Sequence, residues 1–137
     1  MKKAAGVDEG GRPKLWILPL HGSLPASEQA KVFRRPPPGW RKVVLSTNVA
    51  ETSVTIDDVA VVIDTGRAKE MRHDAVADLA RLELQWVSKA AARQRRGRAG
   101  RVRPGVCLRL FSRTFTWPGM DDHPAPEMVR APLQPLW

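Results

Sequence analysis

Gln94, Arg98 and Arg101 are the residues with the most chemistry within reach, and they lie in Q-R-R-G-R-A-G-R (94–101). On a helix, positions i, i+4 and i+7 share one face, so these three would converge. Arg keeps its charge and offers a planar fork of donors that matches phosphate oxygens. Gly97, Ala99 and Gly100 separate the arginines and would leave room for a bulky anion. A plain solvated helix has no reason to carry two glycines, each costing about 1 kcal/mol relative to Ala. The surrounding stretch, 89–103, holds seven Lys or Arg and no acid. These residues point to an anion site.

A second constellation is S-T-N-V-A-E-T-S-V-T-I-D (46–57). Thr47, Asn48, Ser53 and Thr55 offer hydroxyl and amide groups without adding charge, which suits a sequence-independent grip on a nucleic-acid backbone. The same residues also suit a capped turn, with Asn48 and Ser53 bonding local backbone.

The charge has a location. Lys and Arg number 23 against 14 Asp and Glu, a net charge of +9. Between Leu84 and Met120 there is no acid and there are nine basic residues. Without those nine, the basic residues number 14 and the chain is balanced. A regional excess of this kind implies a polyanionic partner. The single cysteine, Cys107, excludes an internal disulfide and fits a reducing compartment, so an intracellular location, nuclear or cytoplasmic, is expected. No apolar run approaches a membrane span, and no partner membrane is expected. His21, His73 and His123 are too scattered for metal-ligand spacing, so no metal site is expected.

The elements that must position these residues read as α/β. Residues 1–14 read as a disordered leader. L-W-I-L-P-L (15–20) is a strand, with Pro19 arguing against full pairing there. Ser23 reads as the N-cap of a short helix reaching about Phe33. Three prolines make 34–39 a stiff loop. Residues 42–46 and 59–64 read as strands buried on both faces, as in a parallel sheet. The polar loop at 47–58 would leave the carboxyl end of a buried strand, where ligands bind in open α/β sheets. Residues 69–87 read as a protruding hairpin, Ser88 as the cap of the basic helix, and 105–111 as a further strand. Trp16 and Trp86 read as strand core; Trp40 and Trp117 fit either packing or base stacking.

Taken in order, motifs 46–57 and 94–101 resemble motifs V and VI of the DEAH-box (DExH) RNA helicases of superfamily 2. L-H-G-S-L-P-A-S-E-Q-A-K-V-F (20–33), V-V-I-D-T-G (61–66) and P-G-V-C (104–107) resemble neighbouring segments of that family, and the likeness runs over about 15–133. The resemblance implies a three-layer RecA-like domain, mostly parallel in its sheet and incomplete at both ends, over 15–115. Residues 116–137 would be a linker and the start of a following region. It implies ATP with Mg2+ as cofactor, the metal held mainly by a first RecA-like domain. Arg98 and Arg101 would be arginine fingers, and Gln94 would place the attacking water or touch the γ-phosphate. Thr55 and Asp57 would face the nucleotide. Gly22, Ser23, Thr47 and Asn48 would hold a single RNA strand, with Ser53 between the two sites. The hairpin at 69–87 would separate strands.

No G-x-x-x-x-G-K-[ST] and no D-E-x-H occurs in these residues. Asp121–Asp122–His123 has the wrong order and no strand before it. The chain therefore reads as a fragment or a truncated gene product that neither hydrolyses ATP nor unwinds RNA alone. A non-catalytic module clamping RNA with its arginines is the alternative, and an unstable product without function a third.

Overall fold

The structure, a computed structural model, describes residues 10–52, 54–74 and 79–124. The chain divides into two compact units, 1–58 and 59–137.

In the first unit, strand β1 (Lys14–Leu20) pairs in parallel with β2 (Trp40–Ser46), from Lys14 opposite Trp40 to Leu20 opposite Ser46. The Leu20 carbonyl accepts the Thr47 N–H at 3.0 Å, so Leu20 directs its polar groups toward β2. Pro19, one residue earlier, directs its missing donor the other way and costs the ladder nothing. Parallel strands need a crossover. It is made by α1 (Ala26–Gln29), a 3-10 turn (Ala30–Phe33) and the proline loop. Helix α1 starts later than expected. Its N-cap is Pro25, whose carbonyl accepts from Glu28 and Gln29, while Ser23 Oγ is occupied with His21 Nδ1 at 2.9 Å. The expected endpoint at Phe33 holds.

Lys42 ties this unit together. Its ammonium donates to the carbonyls of Val32 (2.7 Å) and Arg34 (3.0 Å) and pairs with Asp58 at 2.7 Å. Three donors meet three acceptors, which is the condition for burying a lysine. Between Thr47 and Asp58 the expected loop contains one helical turn, α2 (Val49–Thr52), begun by the Asn48 carbonyl accepting from Glu51 N.

In the second unit, β3 (Val61–Asp64) pairs in parallel with β6 (Val106–Arg109). Between them run an antiparallel hairpin, β4 (Arg67–Asp74) with β5 (Leu79–Trp86), and helix α3 (Lys89–Arg96). The hairpin agrees with the reading of 69–87 and begins two residues earlier; residues 75–78 lie outside the described residues. Gly66 makes the turn into it at φ +71°, where a Cβ would sit 2.6 Å from the Phe111 ring. The Gly66 carbonyl accepts from Val87 N at 2.9 Å and closes the hairpin base. Val87, Ala92 and Met120 form a small core with Ala68, Ala91, Phe111 and Trp117 packed on it. Residues 117–120, expected to be linker, thus contribute to the packing of α3.

The strands are not buried on both faces as expected. Leu45 of β2 is 62% exposed and Ile63 of β3 is 64% exposed. Val32, beside β1, is fully buried and α3 packs on β3, while the alternate residues Leu15, Ile17, Val61 and Leu108 stay open. Period-two alternation sends successive side chains to opposite faces, so covering one face leaves the other exposed.

Candidate functional site

The basic segment is anchored before it is shaped. Ser88 Oγ accepts from Ala91 N at 3.1 Å and caps α3, as its position suggested. The N–H groups of Lys89 and Ala90 go to the carbonyls of Asp121 (2.8 Å) and Asp122 (3.0 Å), and Ala92 N goes to the Ser88 carbonyl. The first turn is satisfied by protein. The Lys89 ammonium also bonds the Asp122 carboxylate at 3.0 Å; that bond, and next the charge of Lys89, hold the Asp122 carboxyl below its ordinary value.

The expected helical face does not form. Helix α3 stops at Arg96, with Gly97 as its C-cap, so Gln94 is on the helix and Arg98 and Arg101 are beyond it. Gly97 N bonds the Arg93 carbonyl, but Arg98 N goes to Arg95 and Ala99 N to Arg96, a tightening to three-residue steps. Gly100 then turns the chain at φ +82° against Gly105, on which a Cβ would overlap the Gly100 backbone. Gly100 and Gly105 permit this bend and its close approach. The outcome is an arm, 97–103, on which Arg98 is half-buried and Arg101 exposed, beside an exposed Gln94.

Arg95 braces the base of that arm. Its Nη1 donates to Asp64 Oδ1 and to the Arg67 carbonyl, each at 3.1 Å. Three arginines outside the expected site also have aromatic partners. Arg109 lies 4.3 Å from the Trp117 ring centre, and Arg93 lies 5.9 Å away. Trp117 stacks on Phe111, which decides between packing and base stacking in favour of packing. Trp86 is exposed rather than core, with the Arg67 guanidinium 3.6 Å above it. Burial pushes the Cys107 thiol up, with Asp64 adding to it and Arg109 and Arg96 opposing.

In the first unit the structure brings two expected pairs together. Since β1 and β2 are parallel and end in register, Gly22–Ser23 and Thr47–Asn48 leave from adjacent carboxyl ends, and all four residues are exposed. Thr55 and Asp57 are exposed on either side of the buried Ile56. Ser53 lies outside the described residues. Gln94, Arg98 and Arg101 belong to the second unit. Among the described residues no group of three or more His, Cys, Asp or Glu could hold a metal, and no helix is long and apolar enough to cross a membrane.

Lys42–Asp58 and Asp64–Arg95 were not singled out from sequence. Each joins residues 16 or 31 positions apart by ion pairs that only the folded chain creates. The one local signal was an Asp ending an apolar strand before Thr-Gly.

The helicase conserved C-terminal domain matches residues 9–103. The DExH-box ATP-dependent RNA helicase DExH1 of Arabidopsis thaliana is 51% identical over 127 residues, 93% of this chain and 13% of that protein. The ATP-dependent DNA/RNA helicase DHX36 of Homo sapiens is 49% identical over 123 residues, 90% of this chain and 12% of that protein. The crystal structure of the E. coli DExH-box NTPase HrpB is similar at a TM-score of 0.79 and 38% identity, covering 86% of this chain and 14% of that one. The chain spans about an eighth of the length of these curated relatives. With the parallel strand pairs, the hairpin and the glycine-broken arginine arm in the order described, the chain belongs to the family of the helicase conserved C-terminal domain and is similar to DExH-box helicases over about nine-tenths of its length.

Proposed function

We propose that this chain is the second RecA-like domain of an ATP-driven RNA motor, and that Arg98 and Arg101 are its arginine fingers. The observation that carries the reading is the braced arm 97–103. It holds permanent positive charge at the end of a capped helix, within a stretch from Leu84 to Met120 that contains no acid. In phosphoryl transfer, negative charge spreads over the γ-phosphoryl oxygens, and a fixed guanidinium there is worth roughly 10³–10⁵ in rate. Arg98 and Arg101 would hold the triphosphate oxygens, with Gln94 orienting water and Thr55 and Asp57 turned to the nucleotide. ATP itself supplies the activated phosphoryl group. The P-loop and the Mg2+ ligands would belong to a first RecA-like domain, so these 137 residues alone would not turn over ATP.

RNA would be held by its backbone at the paired strand ends, through Gly22, Ser23, Thr47 and Asn48; Ser53, also expected to take part, lies outside the described residues. Short hydroxyl and amide groups grip phosphate and sugar without reading bases.

The test joins the chain to a first RecA-like domain of the family. Arg98→Ala and Arg101→Ala should each abolish RNA-stimulated ATP hydrolysis, with RNA affinity held within about twofold. A single finger can account for the whole stimulated rate. Unchanged turnover in both variants would sink the finger assignment, and RNA binding without any nucleotide affinity would favour a non-catalytic clamp.

A further inference from the structure

Asp64 is the buried acid to which the motor reading gives no task. It is 3% exposed at the carboxyl end of β3. Oδ1 accepts from Gly66 N at 2.9 Å and from Arg95 Nη1 at 3.1 Å. Oδ2 has no hydrogen-bond partner among the described residues. The same Arg95 nitrogen donates to the carbonyl of Arg67, the first residue of the hairpin. The Arg95 backbone carbonyl accepts from Arg98 N at 3.1 Å, the bond that starts the arm. One residue therefore grips the hairpin base with its side chain and the root of the arm with its backbone.

The joint has little slack. Gly66 occupies a left-handed turn with no room for a Cβ, and its carbonyl is taken by Val87 at the hairpin's other leg. The carboxylate side chain is 1% exposed, so separating it from its cation would leave a buried charge uncompensated. The pair is either made or broken.

We propose that Asp64 and Arg95 are positioning residues that couple the β4–β5 hairpin to the arm carrying Arg98 and Arg101. Displacement of the hairpin by a nucleic-acid strand is passed to the fingers through this ion pair, alongside the short run of chain from β5 into α3. The inference rests on the motor reading above and names the residues through which RNA would stimulate turnover. A merely structural ion pair would stabilise its surroundings without linking hairpin position to turnover.

The first experiment uses the 137-residue chain, without ATP or RNA. Asp64→Asn keeps an oxygen for Gly66 N and removes the charge. Amide hydrogen exchange should rise about tenfold in 67–74 and 79–86 and by a similar factor in 98–103, leaving β1 and β2 unchanged. A rise in only one of the two segments, or throughout the chain, overturns the coupling. The second uses the chain joined to a first RecA-like domain. Asp64→Asn should lower RNA-stimulated kcat about tenfold, with basal turnover, the KM for ATP and RNA affinity held within about twofold. Arg95→Lys, which keeps the charge, should recover part of the stimulation. Full stimulation in Asp64→Asn overturns the proposal while leaving the fingers intact. Unchanged turnover in Arg98→Ala and Arg101→Ala would instead strike the motor reading, and the exchange experiment would still stand on its own.

Discussion

Lys42 shows how much one side chain carries in this molecule. Its stem runs inside β2, its side chain is 7% exposed, and its ammonium joins two crossover carbonyls to Asp58. Asp58 follows Asp57, so the ion pair also fixes where the polar loop ends. Removing the ammonium strands an acid and two carbonyls. Losing one partner of a fully buried pair costs about 3–5 kcal/mol. Asp58 keeps a third of its surface in water, and so Lys42→Met should cost about 2 kcal/mol. Denaturant unfolding of the parent and the variant measures it, and a midpoint within error of the parent would show that the three contacts are not made in solution. Asp64–Arg95 is the more buried of the two pairs, at 1% and 14% side-chain exposure. Sequence made Arg95 one basic residue among seven; only its buried partner distinguishes it.

At the scale of elements, α3 is the organising piece. Its start was legible because a Ser before an apolar-to-basic helical run is a cap with a local mechanism. Its end was not. Gly97 could be read as a tolerated helical residue, and the spacing of Gln94, Arg98 and Arg101 favoured one continuous face. Past the Gly97 cap, the chain bends where Gly100, within the arm, closely approaches Gly105, just beyond it. The carbonyls of Asp121 and Asp122 add a third, distant anchor, from a segment that reads as linker in sequence. Ser88→Ala should cost about 1 kcal/mol, since it leaves the Ala91 N–H without its acceptor. For a unit of this size that is a fall of about 5 °C in Tm. An unchanged Tm would mean that the backbone bonds to Asp121 and Asp122 hold the helix start without the hydroxyl. Strands β1, β2, β3 and β6 were legible from apolar runs, but the runs overstated their burial. A run of Val and Leu states what could be covered, not which neighbour covers it.

For the whole molecule, net charge makes the strongest statement. An excess of nine positive charges, confined to the residues from Leu84 to Met120, leaves the remainder neutral. Arg93, Arg96 and Arg103 are exposed along it. If these three meet phosphates of single-stranded RNA, the logarithm of the binding constant should fall with the logarithm of salt at a slope of about −2. Titration of a labelled single strand over a range of salt concentrations reads the slope directly, and a slope near zero would remove the polyanion partner. Reversing Arg96 and Arg103 together to Glu should flatten it.

The chemical repertoire was set by sequence alone: a localised positive charge, arginines with glycines between them, a polar loop after an apolar strand, a lone thiol. Those properties belong to residue types and short spacings, which the chain carries whether folded or not. The α/β class and the hairpin followed from periodicity, and likeness in motif order reached the family. Tertiary structure alone decided that Arg98 and Arg101 stand on an arm beyond the helix and that Gly22–Ser23 lies beside Thr47–Asn48. It also decided which of the many arginines is buried on an acid. Those facts depend on contacts between residues far apart in sequence, where desolvation and close packing, rather than local propensity, set the outcome.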